Sequence, residues 1–424
     1  MFRGYNNSIK KLKKSKFIYD SIITITGSGI GKVLSLLCTL IIAKTLESNM
    51  YGVQTLFKST ITTVSFLSIF GLQITITSFI AKKKNKSEIA ETLSSSLIFI
   101  GITSFLFSII YTGFINKSFI TEINNVYYIF LLIFIGSFSS SSSLFFNGVL
   151  AGLGMFKQIS IINLVSGLIA ILILPYVAVH FSLKGVLNVL PFFLFLNSSL
   201  YIIALLSKNI LIIKKGYGNL IELLKLTIPI SLQEICFPLY TFFLNYCIIS
   251  ILGNEYLGVY STAISFYIMF LFVPGILRNV VLKHFSSKEN ESKKLQNEIL
   301  NQSIILNLIL TIIPIIVFIS VYKYIAIFLG ESYSQIKFLL IPMSVMAIVS
   351  SISNPLYQYY IANFKNWKLF YMRFVRDLCT FTIIFIMLKF SFFSKNESLA
   401  YIMIISSLTS AVLFLYMYFE KSKN

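Results

Sequence analysis

The sequence predicts an all-α integral membrane protein with about twelve transmembrane helices, and three observations support this prediction. Of the 424 residues, 56% are hydrophobic and 12% are charged, whereas about 25% of the residues of a soluble domain are charged. Apolar runs of about 20 residues recur along the chain, and a helix of that length crosses the hydrocarbon core of a bilayer. The sequence has no series of short segments with alternating hydrophobicity, which a β-barrel would require.

The apolar runs, with the polar segments between them, predict the position of each helix. These helices and their short connections account for nearly the whole chain, which leaves no room for an extramembrane domain. The predicted helices cover residues 17–46, 51–81, 88–115, 125–152, 156–180, 183–206, 220–252, 256–285, 296–321, 336–361, 367–391 and 397–419.

The basic residues predict that both chain termini face the cytoplasm. Most of the 35 lysines and arginines fall in segments on one side of the predicted helices, including the amino-terminal segment and the run KKKNK at 82–86. Cytoplasmic loops of membrane proteins are enriched in these residues, so this side is the cytoplasmic one. The asymmetry also accounts for the net charge of +20 without a basic nucleic-acid-binding domain. We therefore expect the basic loops to contact anionic lipid rather than nucleic acid.

The sequence predicts no metal site, no cofactor and no catalytic residue. No two cysteines form a CxxC pair, and all four lie in apolar runs, where cysteine is usually a packing residue. His180 and His284 lie at helix ends, which argues against an acyltransferase with a deep catalytic histidine. The cysteines are Cys38, Cys236, Cys247 and Cys379.

Two pairs of similar segments predict an internal repeat. LESNMYGVQT (46–55) resembles LGNEYLGVYS (252–261) at an offset of 206, and GMFK (154–157) resembles ANFK (362–365) at an offset of 208. With six helices in each half, both halves enter the membrane from the same side, so the repeat is parallel and its pseudo-twofold axis lies along the membrane normal. We expect an amino-terminal lobe, a cytoplasmic inter-lobe loop and a carboxyl-terminal lobe at 1–207, 208–219 and 220–424.

Polar side chains follow one face of several predicted helices. In helix 1, for example, Asp20, Ser28 and Lys32 are separated by eight and four residues and share a face. A charge at membrane depth costs about 2.5–17 kcal/mol unless it faces water or a partner. We therefore expect these polar faces to line a hydrated cavity between the lobes. Other uncharged members of the cavity are Gln54, Asn245, Asn354 and Gln358.

The charged side chains of this cavity are the candidate binding residues. Lysine is a compact charge for phosphate, and arginine binds phosphate through two parallel hydrogen bonds. The candidate cations for an anionic group are Lys32, Lys58, Arg278, Arg373 and Arg376. The carboxylates, which could pair with these cations or bind a coupling proton or sodium ion, are Asp20, Glu234 and Asp377. The alternative is structural: a salt bridge between Asp377 and Arg373, and an Arg278 side chain that snorkels to the interface.

Short motifs along most of the chain are typical of one transporter family. The first helix ends in AKTL (43–46), which is followed by Tyr51–Gly52, Gly71–Leu72 and Ile80–Ala81. Further matching segments are GVLAGLGMFK (148–157), IPIS (228–231), LGNEYLGVYSTA (252–263) and FLGESY (328–333). In these motifs the chain resembles the polysaccharide-biosynthesis flippases of the multidrug/oligosaccharidyl-lipid/polysaccharide (MOP) exporter superfamily.

The resemblance implies a MATE-like fold and a Wzx-type flippase. Such a protein moves an undecaprenyl-diphosphate-linked oligosaccharide repeat unit from the inner to the outer leaflet of the bacterial inner membrane by alternating access, for O-antigen or capsule assembly. The resemblance thus implies that the candidate cations bind the diphosphate or an acidic sugar of this cargo. It is not an enzyme, and the implied partners are the lipid-linked glycan, the bilayer and the polysaccharide polymerase and chain-length machinery. We expect a monomer that binds no nucleic acid.

Two alternatives remain open from the sequence. A multidrug/cation antiporter of the same superfamily would share the fold but would favour acidic rather than basic cavity residues. A membrane-embedded polysaccharide polymerase would need a large outer loop with reactive residues, whereas all the predicted outer loops are short.

Overall fold

The structure, a computed structural model, describes residues 2–82, 86–114, 125–207, 210, 220–272, 274–275, 293–363 and 365–423. The all-α prediction is confirmed, since these residues form helices and contain no β-strand. A 3-10 turn, Glu331–Tyr333, precedes the ninth of eleven α-helices. These are α1 (Phe2–Ile69), α2 (Leu72–Lys82), α3 (Lys86–Phe114), α4 (Val126–Gly152), α5 (Phe156–Leu206), α6 (Leu220–Ile251), α7 (Asn254–Phe270), α8 (Lys293–Leu329), α9 (Ile336–Ala362), α10 (Asn366–Lys389) and α11 (Lys395–Lys423).

A single non-helical residue interrupts each of the two longest helices. Glu47 in α1 has φ 57° and ψ 174°, and Ser182 in α5 has φ 52° and ψ −152°. Without these interruptions the helices would be about 100 Å and 75 Å long, more than twice the thickness of the hydrocarbon core. Both residues lie where the sequence predicts a break between two helices. Each long helix therefore consists of two segments.

Eight helices among the described residues are long and apolar enough to cross a membrane. Two of these, Gly29–Ile69 and Phe156–Leu206, contain the interruptions at Glu47 and Ser182. α10 is not one of the eight, because charged side chains reduce its hydropathy. The structure thus confirms a multi-pass membrane protein, and the total of twelve spans stays a prediction.

Residues 1–38 and 64–231 form the first of two compact units. In this unit α4 packs against α2, α3 and α5. The serine-rich part of α4 lies close to α1, where the Ser65 hydroxyl donates to the Ser137 carbonyl oxygen at 3.2 Å and the Ser141 hydroxyl donates to the Ser65 carbonyl oxygen at 3.0 Å. These small side chains bring the helix backbones close together.

Residues 39–63 and 232–424 form the second unit. Here α9 packs against α7, α8 and α11, and α10 packs on α11. The unit includes 39–63, which the predicted division into 1–207, 208–219 and 220–424 places in the amino-terminal lobe; that division stays a prediction. A hydrophobic core joins α8, α9, α10 and α11 through Leu300, Leu356, Tyr360, Leu369, Leu413 and Met417.

Backbone torsions support the parallel repeat. Glu47 corresponds to Gly253 at an offset of 206, and Gly253 has a similar conformation, with φ 114° and ψ 171°. Ser182 and Ser391, at an offset of 209, both have φ near 50°. All four residues lie at or beside predicted outer ends of helix pairs, so each half of the sequence turns at the same places.

Candidate functional site

The structure brings three charged side chains of α10 together with Tyr357 of α9. Arg376 donates from Nε and Nη2 to Asp377 Oδ1, at 2.9 and 2.6 Å, and from Nη1 to the Tyr357 hydroxyl at 3.1 Å. The Arg373 guanidinium lies over the Tyr357 ring, 5.4 Å from its centroid, within the range of a cation–π contact. We call these four residues the arginine cluster.

The central pair of the arginine cluster is largely withdrawn from solvent. The side chains of Arg376 and Asp377 keep 15% and 13% of their exposure. Charges at this depth are tolerated only when they are paired and hydrogen-bonded, and Asp377 and Tyr357 together supply three bonds to the Arg376 guanidinium. Because the cluster contains two guanidinium groups and one carboxylate, its own charges leave an excess of one positive charge, which is suited to an anion.

Arg373 and Asp377 also line a small open cleft of about 10 Å³, together with Cys236 of α6, Phe370 and Phe374. Pockets for drug-sized ligands have volumes of about 300–1,000 Å³. The cleft is therefore too small to enclose a lipid-linked oligosaccharide, and its rim could contact only a small part of one. An arginine beside two aromatic rings offers a charged and an apolar contact to the same bound group. Cys236, predicted to be a packing residue, is thus a lining residue of this cleft.

Two tyrosines from neighbouring helices extend the polar region around the arginine cluster. The hydroxyl of Tyr240 on α6 lies 3.3 Å from the Ser406 hydroxyl, and that of Tyr267 on α7 lies 2.9 Å from the Ser350 hydroxyl. Both tyrosines are close enough to Arg376 to interact with its charge. These tyrosines are not predictable as site residues from the sequence, because isolated tyrosines in apolar runs form no polar stripe.

Six further predicted site residues lie in the second unit, on three helices. Glu234 is half-buried on α6, and the Gln358 Nε2 on α9 donates to Asn354 Oδ1 at 3.3 Å. The side chain of Lys58 on α1 is exposed, whereas Gln54 on α1 and Asn245 on α6 are buried. Their assignment to a common cavity stays a prediction.

The remaining predicted residues belong to the first unit or lie outside the described residues. Lys32 is exposed on α1, and the structure describes only the backbone of Asp20 and Ser28. Arg278 lies outside the described residues.

The observed ion pair differs from the one that the sequence suggests. Asp377 pairs with Arg376, whereas the structural alternative from the sequence is a salt bridge between Asp377 and Arg373.

The first unit contains a polar network that the sequence does not predict. Asn147 Nδ2 on α4 donates to the Tyr201 hydroxyl at 3.0 Å, and this hydroxyl donates to Asn163 Oδ1 on α5 at 3.2 Å. The Ser166 hydroxyl donates to Asn197 Oδ1 at 2.6 Å. The network ties α4 to both segments of α5, so its polar groups serve the packing of the unit.

Comparison with solved structures identifies the fold. One matching structure is the inward-facing conformation of a multidrug resistance MATE family transporter of the MOP superfamily, with a TM-score of 0.76, 15% identity, and coverage of 95% of this chain and 98% of that chain. The outward-facing conformation of such a transporter matches with a TM-score of 0.62 at 14% identity, covering 95% and 94%. A MOP superfamily transporter from Pyrococcus furiosus, described as having a binding pocket of reverse polarity that suggests a different function, matches with a TM-score of 0.66 at 14% identity, covering 95% and 94%. The predicted MATE-like fold is confirmed.

The sequence itself matches one family profile. No curated protein matches the sequence. The profile described as "Polysaccharide biosynthesis protein" matches residues 17–273, which is more than half of the chain. The chain therefore belongs to the polysaccharide biosynthesis protein family.

Proposed function

We propose that this protein is a flippase that moves an undecaprenyl-diphosphate-linked oligosaccharide repeat unit from the inner to the outer leaflet of the bacterial cytoplasmic membrane. It does so by alternating access and supplies the assembly of a cell-surface polysaccharide. The polysaccharide biosynthesis family supports this class of cargo, and the MATE fold supports transport. The observation that carries the proposal is the excess positive charge of the arginine cluster within an apolar helical unit.

Within the arginine cluster, Arg373 is the residue that contacts the diphosphate. The Arg376 guanidinium is already held by three hydrogen bonds to Asp377 and Tyr357, whereas Arg373 also lines the cleft beside two phenylalanine rings. A guanidinium binds two phosphate oxygens at once, and aromatic rings offer an apolar contact to the prenyl or sugar part of the cargo. Arg376 adds long-range attraction, and Asp377 limits it so that the cargo can leave.

A multidrug/cation antiporter is the second candidate, and the similarity to MATE transporters favours it. Such a protein needs an available carboxylate for a cationic drug or a coupling ion. In this chain Asp377 already accepts two hydrogen bonds from Arg376, and the second arginine would repel an organic cation. The Pyrococcus furiosus protein, whose pocket of reverse polarity is described as suggesting a different function, is a case in which this fold is associated with another function.

Deletion of the gene, followed by analysis of inner-membrane lipids and surface glycan, tests the proposed cargo. The deletion strain should accumulate undecaprenyl-linked repeat units on the cytoplasmic leaflet and lose the surface polymer, because the repeat units no longer reach the outer leaflet. The intact gene should reverse both effects. Normal surface glycan without lipid-linked accumulation would rule out the flippase, and drug-efflux assays would then test the antiporter.

Complementation of the deletion strain with variants tests the binding residues. Arg373→Ala should fail to restore export at a normal protein level, and Arg373→Lys should restore it in part, since lysine keeps the charge but not the two-pronged geometry. Lys389→Ala is the matched control, because it removes an exposed charge at the other end of the same helix. Lys32→Ala and Lys58→Ala should also abolish export. Full export by Arg373→Ala, Lys32→Ala or Lys58→Ala would remove that residue from the proposed site.

A further inference from the structure

Two segments of the second unit cross so closely that only glycine fits at two positions. A Cβ atom placed on Gly52 of α1 would overlap the carbonyl oxygen of Asn254 and lie 2.8 Å from its carbonyl carbon. A Cβ atom on Gly258 of α7 would overlap the carbonyl oxygen of Ser48 and lie 2.7 Å from its carbonyl carbon. Real Cβ atoms essentially never approach other atoms within 3.0 Å. Any side chain at either position therefore forces the segments apart.

The internal repeat relates the two halves of this contact. At the offset of 206, Ser48 corresponds to Asn254 and Gly52 corresponds to Gly258. The glycine of each repeat thus meets the carbonyl group at the equivalent position of the other repeat. This reciprocity is the pattern of a twofold-symmetric interface, in which residue i contacts j and j contacts i. The equivalent segments of the two repeats therefore pack against each other at the pseudo-twofold axis that relates the repeats.

The residues around this contact are buried and hydrogen-bonded, so water is excluded from it. The hydroxyl of Tyr333, in the 3-10 turn, donates to the carbonyl oxygen of Ala43 at 2.8 Å, and both residues are buried. Burial raises the pKa of Tyr333 well above its ordinary value, so the hydroxyl stays protonated as the donor. Ser48 is only 3% exposed. A further hydrogen bond joins α1 to α6 away from this contact: the Thr63 hydroxyl donates to the Pro238 carbonyl oxygen at 3.1 Å.

We propose that Ser48, Gly52, Asn254 and Gly258 form the closed outer gate of the transport path; we call these residues the glycine gate. Both segments lie at predicted outer ends of helices, where cargo has to leave. The glycine contacts are van der Waals contacts between backbones, each individually weak, so the segments can part without breaking an ion pair at these four residues. The cargo assignment rests on the proposed function, whereas closure depends only on this contact.

Labelling of a cysteine introduced at Ser48 tests the gate. In right-side-out membrane vesicles, an impermeant maleimide should label Ser48→Cys weakly, because the position is buried when the gate is closed; the parent chain gives the background of the four native cysteines. Adding Gly52→Ala or Gly258→Ala should raise this labelling several-fold, since the new methyl group prevents closure. Gly101→Ala is the matched control, because its Cβ would meet only Phe138, at 3.6 Å. Protected cysteine in both gate variants, at normal protein level, would overturn the proposal.

A milder variant covers the case in which the glycine variants do not accumulate. Tyr333→Phe removes the hydroxyl that bonds to Ala43 and Thr262 without adding any atom to the contact, and it should raise the labelling of Ser48→Cys by a smaller factor. If the glycine variants are absent from the membrane and Tyr333→Phe leaves labelling unchanged, the contact is permanent packing and the gate is rejected. The assay needs no cargo. Increased labelling together with normal surface glycan in the deletion strain would keep the gate and reject the flippase.

Discussion

Removing Asp377 should leave Arg376 as a buried charge that has lost most of its hydrogen bonds. Two of the three bonds to the guanidinium come from Asp377 Oδ1, at 2.9 and 2.6 Å. Breaking one side of a buried pair costs about 3–5 kcal/mol. Because the two side chains keep 15% and 13% of their exposure, we expect Asp377→Ala to lower the free energy of unfolding by about 3 kcal/mol, at the lower end of that range.

Removing both charges should cost less than removing one. In the double variant Arg376→Met with Asp377→Leu no unpaired charge remains buried, and apolar side chains of similar length fill the space. The Tyr357 hydroxyl loses its partner, which costs about 1 kcal/mol. We expect the double variant to be destabilised by about 1–2 kcal/mol, so that the cycle built from it and the two single variants gives a clear coupling energy.

Denaturant titration of the purified protein in detergent measures these differences. The single tryptophan, Trp367, lies on α10 itself, so its fluorescence reports on the helix that carries the pair. Lys389→Ala, at the exposed end of the same helix, should have the stability of the wild type. An Asp377→Ala variant as stable as the wild type, or single-variant costs that add up to that of the double variant, would refute the buried ion pair.

Three further predictions concern the backbone and packing, and unfolding experiments in the same detergent test each of them. Glu47→Gly should raise the free energy of unfolding by about 1 kcal/mol, because Glu47 has a backbone conformation that only glycine adopts easily. Gly253→Ala should lower the free energy of unfolding by about 1–3 kcal/mol, because alanine would be forced into a similar conformation. Equal effects of the two changes would contradict backbone strain at these positions. Gly148→Ala should cost about 1–3 kcal/mol, because its Cβ would overlap the carbonyl oxygen of Gln73 and lie 2.9 Å from a side-chain carbon of Ile76, both on α2. Wild-type stability of this variant would show that α2 and α4 can separate, and Gly101→Ala is the control. Tyr201→Phe should cost about 2 kcal/mol through the loss of two hydrogen bonds, and an unchanged stability would mean that these bonds do not hold α4 to α5.

The positions of the helices could be predicted because the hydrocarbon core of the bilayer strongly restricts the sequences that can cross it. Every backbone polar group in the hydrocarbon core has to be bonded within its own helix, so long apolar runs leave little choice of structure. The predicted ends of α4 and α9, for example, differ from the observed ones by only one residue. The break at Phe70–Gly71 was missed, because an apolar residue beside a glycine carries no polar signal inside a predicted helix.

The candidate site could be predicted only in part. Its charges were visible because they are rare in apolar helices, and Arg373, Arg376 and Asp377 do lie in one region. The partners of these charges were not predictable. Helical spacing favours a salt bridge between Asp377 and Arg373, which are four residues apart, whereas in the structure the Arg376 side chain donates to its immediate neighbour Asp377. Tyr357 was missed because the contact with α9 depends on how α9 and α10 pack, which spacing along one helix does not reveal.

The pairing of Arg376 with its immediate neighbour Asp377 also bears on how the protein enters the membrane. An arginine that depended on a distant helix would cross the translocon as an exposed charge and wait for that helix to be synthesised. Here the carboxylate arrives within the same helix, and Tyr357, the remaining partner, precedes both residues in the chain. Once α10 emerges, the partners of this guanidinium named above have already been made, so this charged helix can be inserted without an uncompensated charge at Arg376.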